Sequence, residues 1–351
     1  MSVLLVAPDE ARNVSTPTSA QAIARPIART LGSVLTRVLA SVLVTVVSIA
    51  CADRVDDGGG ESSQASARAV RPAAAPAAAP ADTDDFGAAF PVDASVSARI
   101  VSLNPTATEL LYTLGVSDRV VGRSVWDEYP AEVKGVPSVG NGIGINVEAV
   151  LGVRPTLVVL YATPENRSAA EALQRAGVHT IALRVDHIAD FMALTTRLGR
   201  VVGEEARARI VRDTVMATLD SVRAVLRGVT PTPVVWPVWL APTMVIGGGS
   251  FLDELITIAG GRNVFHDNTA PSPAVSIEEI ARRDPDFVVA SDSTMARLRS
   301  DAPWKAVRAV RDSKWLRSDP ALTGRPSVVL GMAAVSLARA MHPDRAAALP
   351  E

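Results

Sequence analysis

Glu148 and Glu278 each stand two residues after a polar side chain, Asn146 or Ser276, at the start of an apolar-periodic stretch. That places both carboxylates in the first turn of a helix, where the helix dipole and a side-chain cap favour an anion. The two glutamates hold matching positions in runs that align without gaps, INVEAVLGVRPTLVVL and VSIEEIARRDPDFVVA, with Val150 on Ile280, Arg154 on Asp284 and Pro155 on Pro285. Aromatic residues make up only 4% of the chain, so their placement carries information. Trp126 falls in a loop after a strand-like run, Tyr161 ends another, and Trp236 and Trp239 bracket Pro237. Open α/β sheets bind ligands outside the carboxyl ends of their strands, so Trp126 and Tyr161 read as cleft-lining. Tyr129 and one of the two tryptophans, Trp236 or Trp239, read as core packing. Asn141 and Gly142, in the run GNGIG, would let a bulky ligand approach the backbone. Arg325, in TGRPS, is placed to contact an anionic ligand or to remain a solvated loop arginine.

Other chemistries find little support. The histidines His179, His187, His266 and His342 show no metal-ligand spacing, and any metal would arrive inside its own chelate. His266 with Asp267 reads as a surface turn. The run GGGS before Phe251 could cradle an anion but lacks the lysine and spacing of a P-loop. No GxSxG run provides a nucleophile elbow. A net charge of −2, with no basic stripe, argues against nucleic acid as a partner.

An apolar run over 38–50 follows Arg25, Arg29 and Arg37 and ends SIA before Cys51, the single cysteine. This is the anatomy of an export signal over residues 1–50. VSIAC also resembles the end of a bacterial lipoprotein signal, which makes Cys51 the expected lipidation site, with plain cleavage after Ala50 or an uncleaved anchor as the alternatives. Without a second cysteine, disulfides do not hold the exported domain together. Residues 51–97, rich in Ala, Pro, Gly and Ser, are expected to form a disordered tether, too poor in apolar surface to offset their ordering entropy.

From residue 98 strands and helices alternate, which implies parallel sheets and right-handed crossovers. RIVSL is a strand. TATELLYTLG is a helix, expected to open with a capping box of Thr106 and Glu109. RPTLVVLY is apolar enough for a strand buried on both faces. The organising stretch is 186–228, two consecutive helices. In the second, Ala208, Val211, Val215, Leu219, Val222 and Leu226 share one face, and roughly 24 residues at about 1.5 Å each give a rod of about 36 Å. The grammar then recurs. The chain reads as a pseudo-duplicate: an amino-terminal lobe over 98–185, connecting helices with a strut over 186–228, and a carboxyl-terminal lobe over 229–346.

The runs VSLNPTATELLYTLG, VGNGIGINVEAVLGVRPTLVV, GGGSFLDELITIAGGRNVF and VSIEEIARRDPDFVV, with the terminal ARAMHP, resemble the ABC-transporter solute-binding proteins with a helical backbone, the cobalamin and iron-siderophore receptor family. The resemblance implies an α/β fold of two Rossmann-like lobes joined by one long backbone helix, the class III architecture. It implies a ligand in the inter-lobe cleft and no catalysis. Cobalamin is the expected ligand, with Trp126, Tyr161, Asn141, Gly142, Trp236, Trp239 and Arg325 around it; a ferric siderophore or haem is the alternative. A more distant alternative is an extracytoplasmic enzyme on the same fold. Glu148 and Glu278 are implied to dock, one per lobe, on arginines of a permease that works with an ATPase in the cytoplasmic membrane. With the export signal and Cys51, the chain is expected to be periplasmic or at the cell surface, membrane-anchored and monomeric, with no intrinsic cofactor. One departure is that Gly142 and Ser272 stand where cobalamin receptors carry aromatics.

Overall fold

The computed structural model describes residues 83–91 and 94–350; the export signal and Cys51 lie outside the described residues. The first lobe holds β1 (Ile100–Leu103), α1 (Pro105–Thr113), β2 (Val120–Arg123), α2 (Val147–Gly152), β3 (Leu157–Tyr161), α3 (Pro164–Arg175) and β4 (His179–Leu183). Its strands form a wholly parallel sheet in the order β2-β1-β3-β4. β1 and β3 are central and apolar on both faces, and alternate side chains feed two different cores. Ile100, Leu157 and Val159 point to one side, and Val101, Leu103, Val158 and Leu160 to the other.

Two helices follow, α4 (Ile188–Val202) and α5 (Glu205–Val225), turned against each other at Gly203 in the left-handed conformation. They pack closely: a Cβ on Gly199 would collide with that of Ala208. α5 has 21 residues, a rod of roughly 31 Å. The face expected for it is the one buried, with Ala208, Val215, Leu219, Val222 and Leu226 inside and Val211 partly so.

The second lobe contributes β5 (Thr232–Val235), β6 (Pro237–Leu240), β7 (Thr243–Val245), α6 (Phe251–Ile258), β8 (Gly261–Asn263), α7 (Ile277–Arg283), β9 (Phe287–Ala290), α8 (Asp292–Ser300), α9 (Arg308–Arg311), β10 (Trp315–Arg317), α10 (Pro320–Thr323) and α11 (Leu330–Met341). Its main sheet runs β10-β9-β5-β8, again parallel, while β6 and β7 form a separate antiparallel hairpin. Matching β5, β8, β9 and β10 to β1, β2, β3 and β4 gives the same strand order, so the duplication legible in sequence is a duplication of topology. The aligned residues Arg154 and Asp284 share an unusual backbone, with φ of 49° and 44° after α2 and α7.

One buried cluster runs through both lobes and the connecting helices, from Leu110 and Leu111 of α1 through Phe191, Leu198 and Leu219 to Leu255 of α6 and Leu337 of α11. α11 meets α5 where a Cβ on Gly331 would come within 2.8 Å of Thr218 Cγ2. The outer faces of the two sheets carry their own smaller cores, around Val158 and Leu173 in one and around Phe265, Val288 and Trp304 in the other.

Two local expectations are corrected. α1 is capped by Asn104, whose Oδ1 accepts from the N–H of Thr106 at 3.1 Å and of Ala107 at 3.4 Å; Pro105 at the first helical position moves the start upstream of Thr106, and Glu109 turns to the other lobe. The tether read as extending to residue 97 gives way earlier to structure. Asp84 is 2% exposed and gathers the N–H groups of Phe86, Ala88 and Ala182. Asp85 donates to Ala182 O and accepts from Arg184 N, while Phe86 and Phe90 lie under Arg167 and Arg197. Residues 83–91 therefore run along the outer edge of β4, and a carboxylate in an Asx-type turn supplies the acceptors that the sheet lacks there.

Candidate functional site

In each sheet the chain leaves a central strand for the edge on one side and returns to the other side, which makes β1/β3 and β5/β9 the switch points, the places where open α/β sheets bind ligands at the carboxyl ends. At the first switch point Gly142 adopts φ +81°, and a Cβ there would lie 2.8 Å from Leu103 O at the end of β1. Only glycine lets the loop lie on the strand end in this way. Asn166, wholly buried in α3, holds the loop in place: Nδ2 donates to Gly142 O at 2.7 Å and to Tyr161 O at 2.9 Å, and Oδ1 accepts from Gly144 N at 3.2 Å. Asn141 is exposed and forms a local turn with Ile143 N at 3.0 Å. The structure thus brings Gly142 and Tyr161 together through a residue that sequence reasoning missed. A polar residue in the first turn of an otherwise ordinary amphipathic helix was its only trace.

Tyr161 is half-buried, and its hydroxyl donates to Asp186 Oδ1. Burial raises the pKa of both groups, Tyr161 further through the nearby Asp186 carboxylate, while the Tyr161 hydroxyl partly offsets the rise at Asp186. Asp186 O in turn accepts from Phe251 N at 2.8 Å, and Glu254 of α6 accepts from Ile188 N at 3.1 Å and lies 2.6 Å from His187 Nδ1. These contacts tie together the end of β3, the start of α4 and α6.

The loop after β2 carries Trp126, half-buried, and Tyr129, which is 42% exposed and so not the core residue expected. Between them Asp127 is 2% exposed; Oδ2 accepts from Ser124 N at 2.5 Å, Oδ1 has no hydrogen-bond partner, and burial pushes its carboxyl above the usual range. In the second lobe Trp236 is 5% exposed and belongs to the shared core, whereas Trp239, at 47%, stands out from the β6–β7 hairpin with its indole bonded to Ala241 O at 2.9 Å. Of the pair, Trp236 is the packing residue: it directly follows the central strand β5 and lies in the shared core. Arg325 is neither solvated nor unengaged: its Nη2 pairs with Glu109 of α1, and its guanidinium lies 5.2 Å from the Tyr129 ring centre.

The GGGS run is not an anion cradle. Gly247 N and Gly248 N are already given to Pro271 O at 3.1 Å and Asn268 O at 2.7 Å, and the glycines are needed because the 266–271 loop passes where Cβ atoms would be. His266 does not pair with Asp267, which binds Arg283; its Nδ1 lies 2.7 Å from Oδ2 of the buried Asp253, itself held by Asn263 at 2.8 Å. Among the described residues no group of three or more His, Cys, Asp or Glu could hold a metal ion.

Glu148 and Glu278 are both exposed, one per lobe, at the same position behind their caps: Asn146 accepts from Ala149 N at 3.1 Å and Ser276 from Glu279 N at 3.1 Å. Both helices begin on the carboxyl-end side of their sheets. Hydrogen bonds from its own N–H and from the Ser276 hydroxyl hold the Glu278 carboxyl below the usual range.

The family described as periplasmic binding protein matches residues 100–321. An uncharacterized ABC transporter substrate-binding lipoprotein of Bacillus subtilis is 27% identical over 262 residues, covering 70% of this chain and 80% of the relative. A vitamin B12-binding protein of Vibrio campbellii is 26% identical over 217 residues, 59% of this chain and 75% of the relative. Among solved structures, a periplasmic heme-binding protein from Roseiflexus sp. RS-1 in its apo form superposes with a TM-score of 0.62 at 21% identity, covering 72% of this chain and all (100%) of that one.

Proposed function

Because the chain belongs to the periplasmic binding protein family, whose members bind solutes rather than transform them, we infer that it is the extracytoplasmic receptor of an ABC importer for cobalamin. The observation that supports the ligand is the set of aromatic side chains around the carboxyl ends: Trp126 and Tyr161, half-buried, and Tyr129, exposed, on the first lobe, and Trp239, exposed, on the second. A large flat macrocycle is held mainly by such faces with a few polar contacts. The name of the Vibrio campbellii relative supports the same ligand. In this reading Gly142 and Asn141 form the backbone wall of the cleft, and Glu148 and Glu278 dock one per lobe on the permease. Exposed carboxylates of this kind contribute register and orientation more than affinity. Residues 1–50 serve export, and Cys51 carries the lipid that keeps the receptor at the membrane, in line with the lipoprotein named in Bacillus subtilis.

His266 favours a second ligand of the same class. With Nδ1 engaged by a buried carboxylate, its Nε2 is directed outward on a side chain 71% exposed, the arrangement that tunes an imidazole for a metal. Haem, with an open axial position, would use it. Titration of the protein with cyanocobalamin, haemin and a ferric siderophore, followed by tryptophan fluorescence, separates these ligands. Tight quenching by cyanocobalamin is expected; saturation by haemin or the siderophore with no response to cyanocobalamin rejects cobalamin and keeps the receptor class.

A further inference from the structure

The Glu109–Arg325 pair joins residues 216 apart in sequence and on different lobes. Glu109 lies in the middle of α1 with its side chain 9% exposed, and Arg325 is 16% exposed in the loop between α10 and α11. A buried carboxylate is tolerated only with a partner, and here the partner is supplied from across the cleft. The same guanidinium rests on Tyr129, so two groups of the first lobe grip one of the second. A separate tie lies where the chain crosses between lobes, through Asp186 O with Phe251 N and Glu254 with His187 and Ile188 N. The core that runs through both lobes and the tie at the crossing already limit their relative movement; the Glu109–Arg325 pair, remote in sequence, adds a polar restraint between α1 and the α10–α11 loop.

We propose that Glu109 and Arg325 form a cross-lobe latch: positioning residues that fix the width of the cleft on the Tyr129 side and must part when a ligand passes between Tyr129 and the α10–α11 loop. Arg325 acts through Glu109 and holds the wall rather than the ligand. The proposal rests on the two-lobe architecture and not on which ligand the cleft takes.

The test is an inter-lobe distance measured in the protein with no ligand added. Spin labels at Ser168→Cys on α3 and Ser300→Cys on α8, both exposed positions, are introduced with Cys51→Ser. The parent should show one narrow distance population. Glu109→Gln and Arg325→Gln should each add a second, longer population, and Arg325→Lys, which keeps the charge, should restore the narrow one in part. Stopped-flow mixing with cyanocobalamin, and separately with haemin, should show dissociation of whichever binds faster by about tenfold in both Gln variants. Unchanged distances in every variant, with losses confined to the melting temperature, would reduce the pair to a structural contact. Affinity lost in Arg325→Gln but kept in Glu109→Gln, at constant distance, would make Arg325 a ligand contact and overturn the latch. Should Arg325→Gln fail to fold, Glu109→Gln and Arg325→Lys carry the same comparison.

Discussion

Asn166→Ala removes the single side chain that fastens the 140–145 loop to the end of β3. Three backbone groups lose a partner: Gly142 O, Tyr161 O and Gly144 N. A neutral hydrogen bond contributes about 1 kcal/mol net, and a buried group left unpaired costs about 1–3 kcal/mol. Gly144 is exposed and water replaces its partner, whereas Gly142 is buried. The expected loss is therefore about 3 kcal/mol, less than the sum of three fully orphaned groups. For a folded region of this size that lowers the melting temperature by roughly 6–12 °C. Urea unfolding should show the fall in midpoint with an unchanged slope. Cyanocobalamin titration should show weakened quenching, because Gly142 no longer lies on Leu103. Asn166→Asp keeps the shape but turns two donated bonds into repulsion between a carboxylate and carbonyls, so it should be at least as harmful. A loss below about 0.5 kcal/mol in both variants, within the range of ordinary surface substitutions, would refute the claim that this residue builds the cleft wall.

Trp126→Ala should weaken cyanocobalamin binding with little change in melting temperature, since the ring is only half-buried; equal affinity would remove Trp126 from the site. Glu148→Ala together with Glu278→Ala should leave ligand titrations unchanged and abolish uptake in whole cells; lost affinity would instead assign the carboxylates to the pocket. Asp127 and Asp186 have folded-state pKa values raised by burial, so their contribution to stability is present below the unfolded value, near 3.8, and is lost as pH rises through the folded value. Asp127→Asn, which keeps an acceptor for Ser124 N, should accordingly raise the melting temperature at pH 7 and flatten its dependence above pH 4. An unchanged pH profile would show that the carboxyl titrates normally. Gly331→Val should destabilise by about 1–3 kcal/mol in chemical denaturation, because its Cβ meets Thr218 on α5, and Thr218→Ala should recover part of the loss.

The strut and the paired lobes were legible because each rests on a repeating signal: the 3.6-residue spacing of Ala208, Val215, Leu219 and Val222, and a gapless match whose partners Arg154 and Asp284 take the same left-handed backbone after equivalent helices. The site was legible only in part. The rule that strand ends face a crevice draws the eye to Trp126 and Tyr161, yet nothing in a linear pattern separates Trp236, buried in the shared core, from Trp239, projected by a hairpin. Glu109 fits a capping box by spacing, and the competing cap at Asn104 released it for Arg325. Asn166, Asp186 and Glu254 act through groups distant in sequence, which local periodicity does not encode.

The strip over 83–91 has a bearing on how such receptors crowd together. β4 is the outermost strand of its sheet, and an unguarded outermost strand invites a neighbouring molecule to add its own. With Ala182 and Arg184 already bonded to Asp84 and Asp85, that opportunity is closed from within the same polypeptide. That edge is then closed to a second copy of the chain, which would otherwise find a row of unpaired backbone groups to extend.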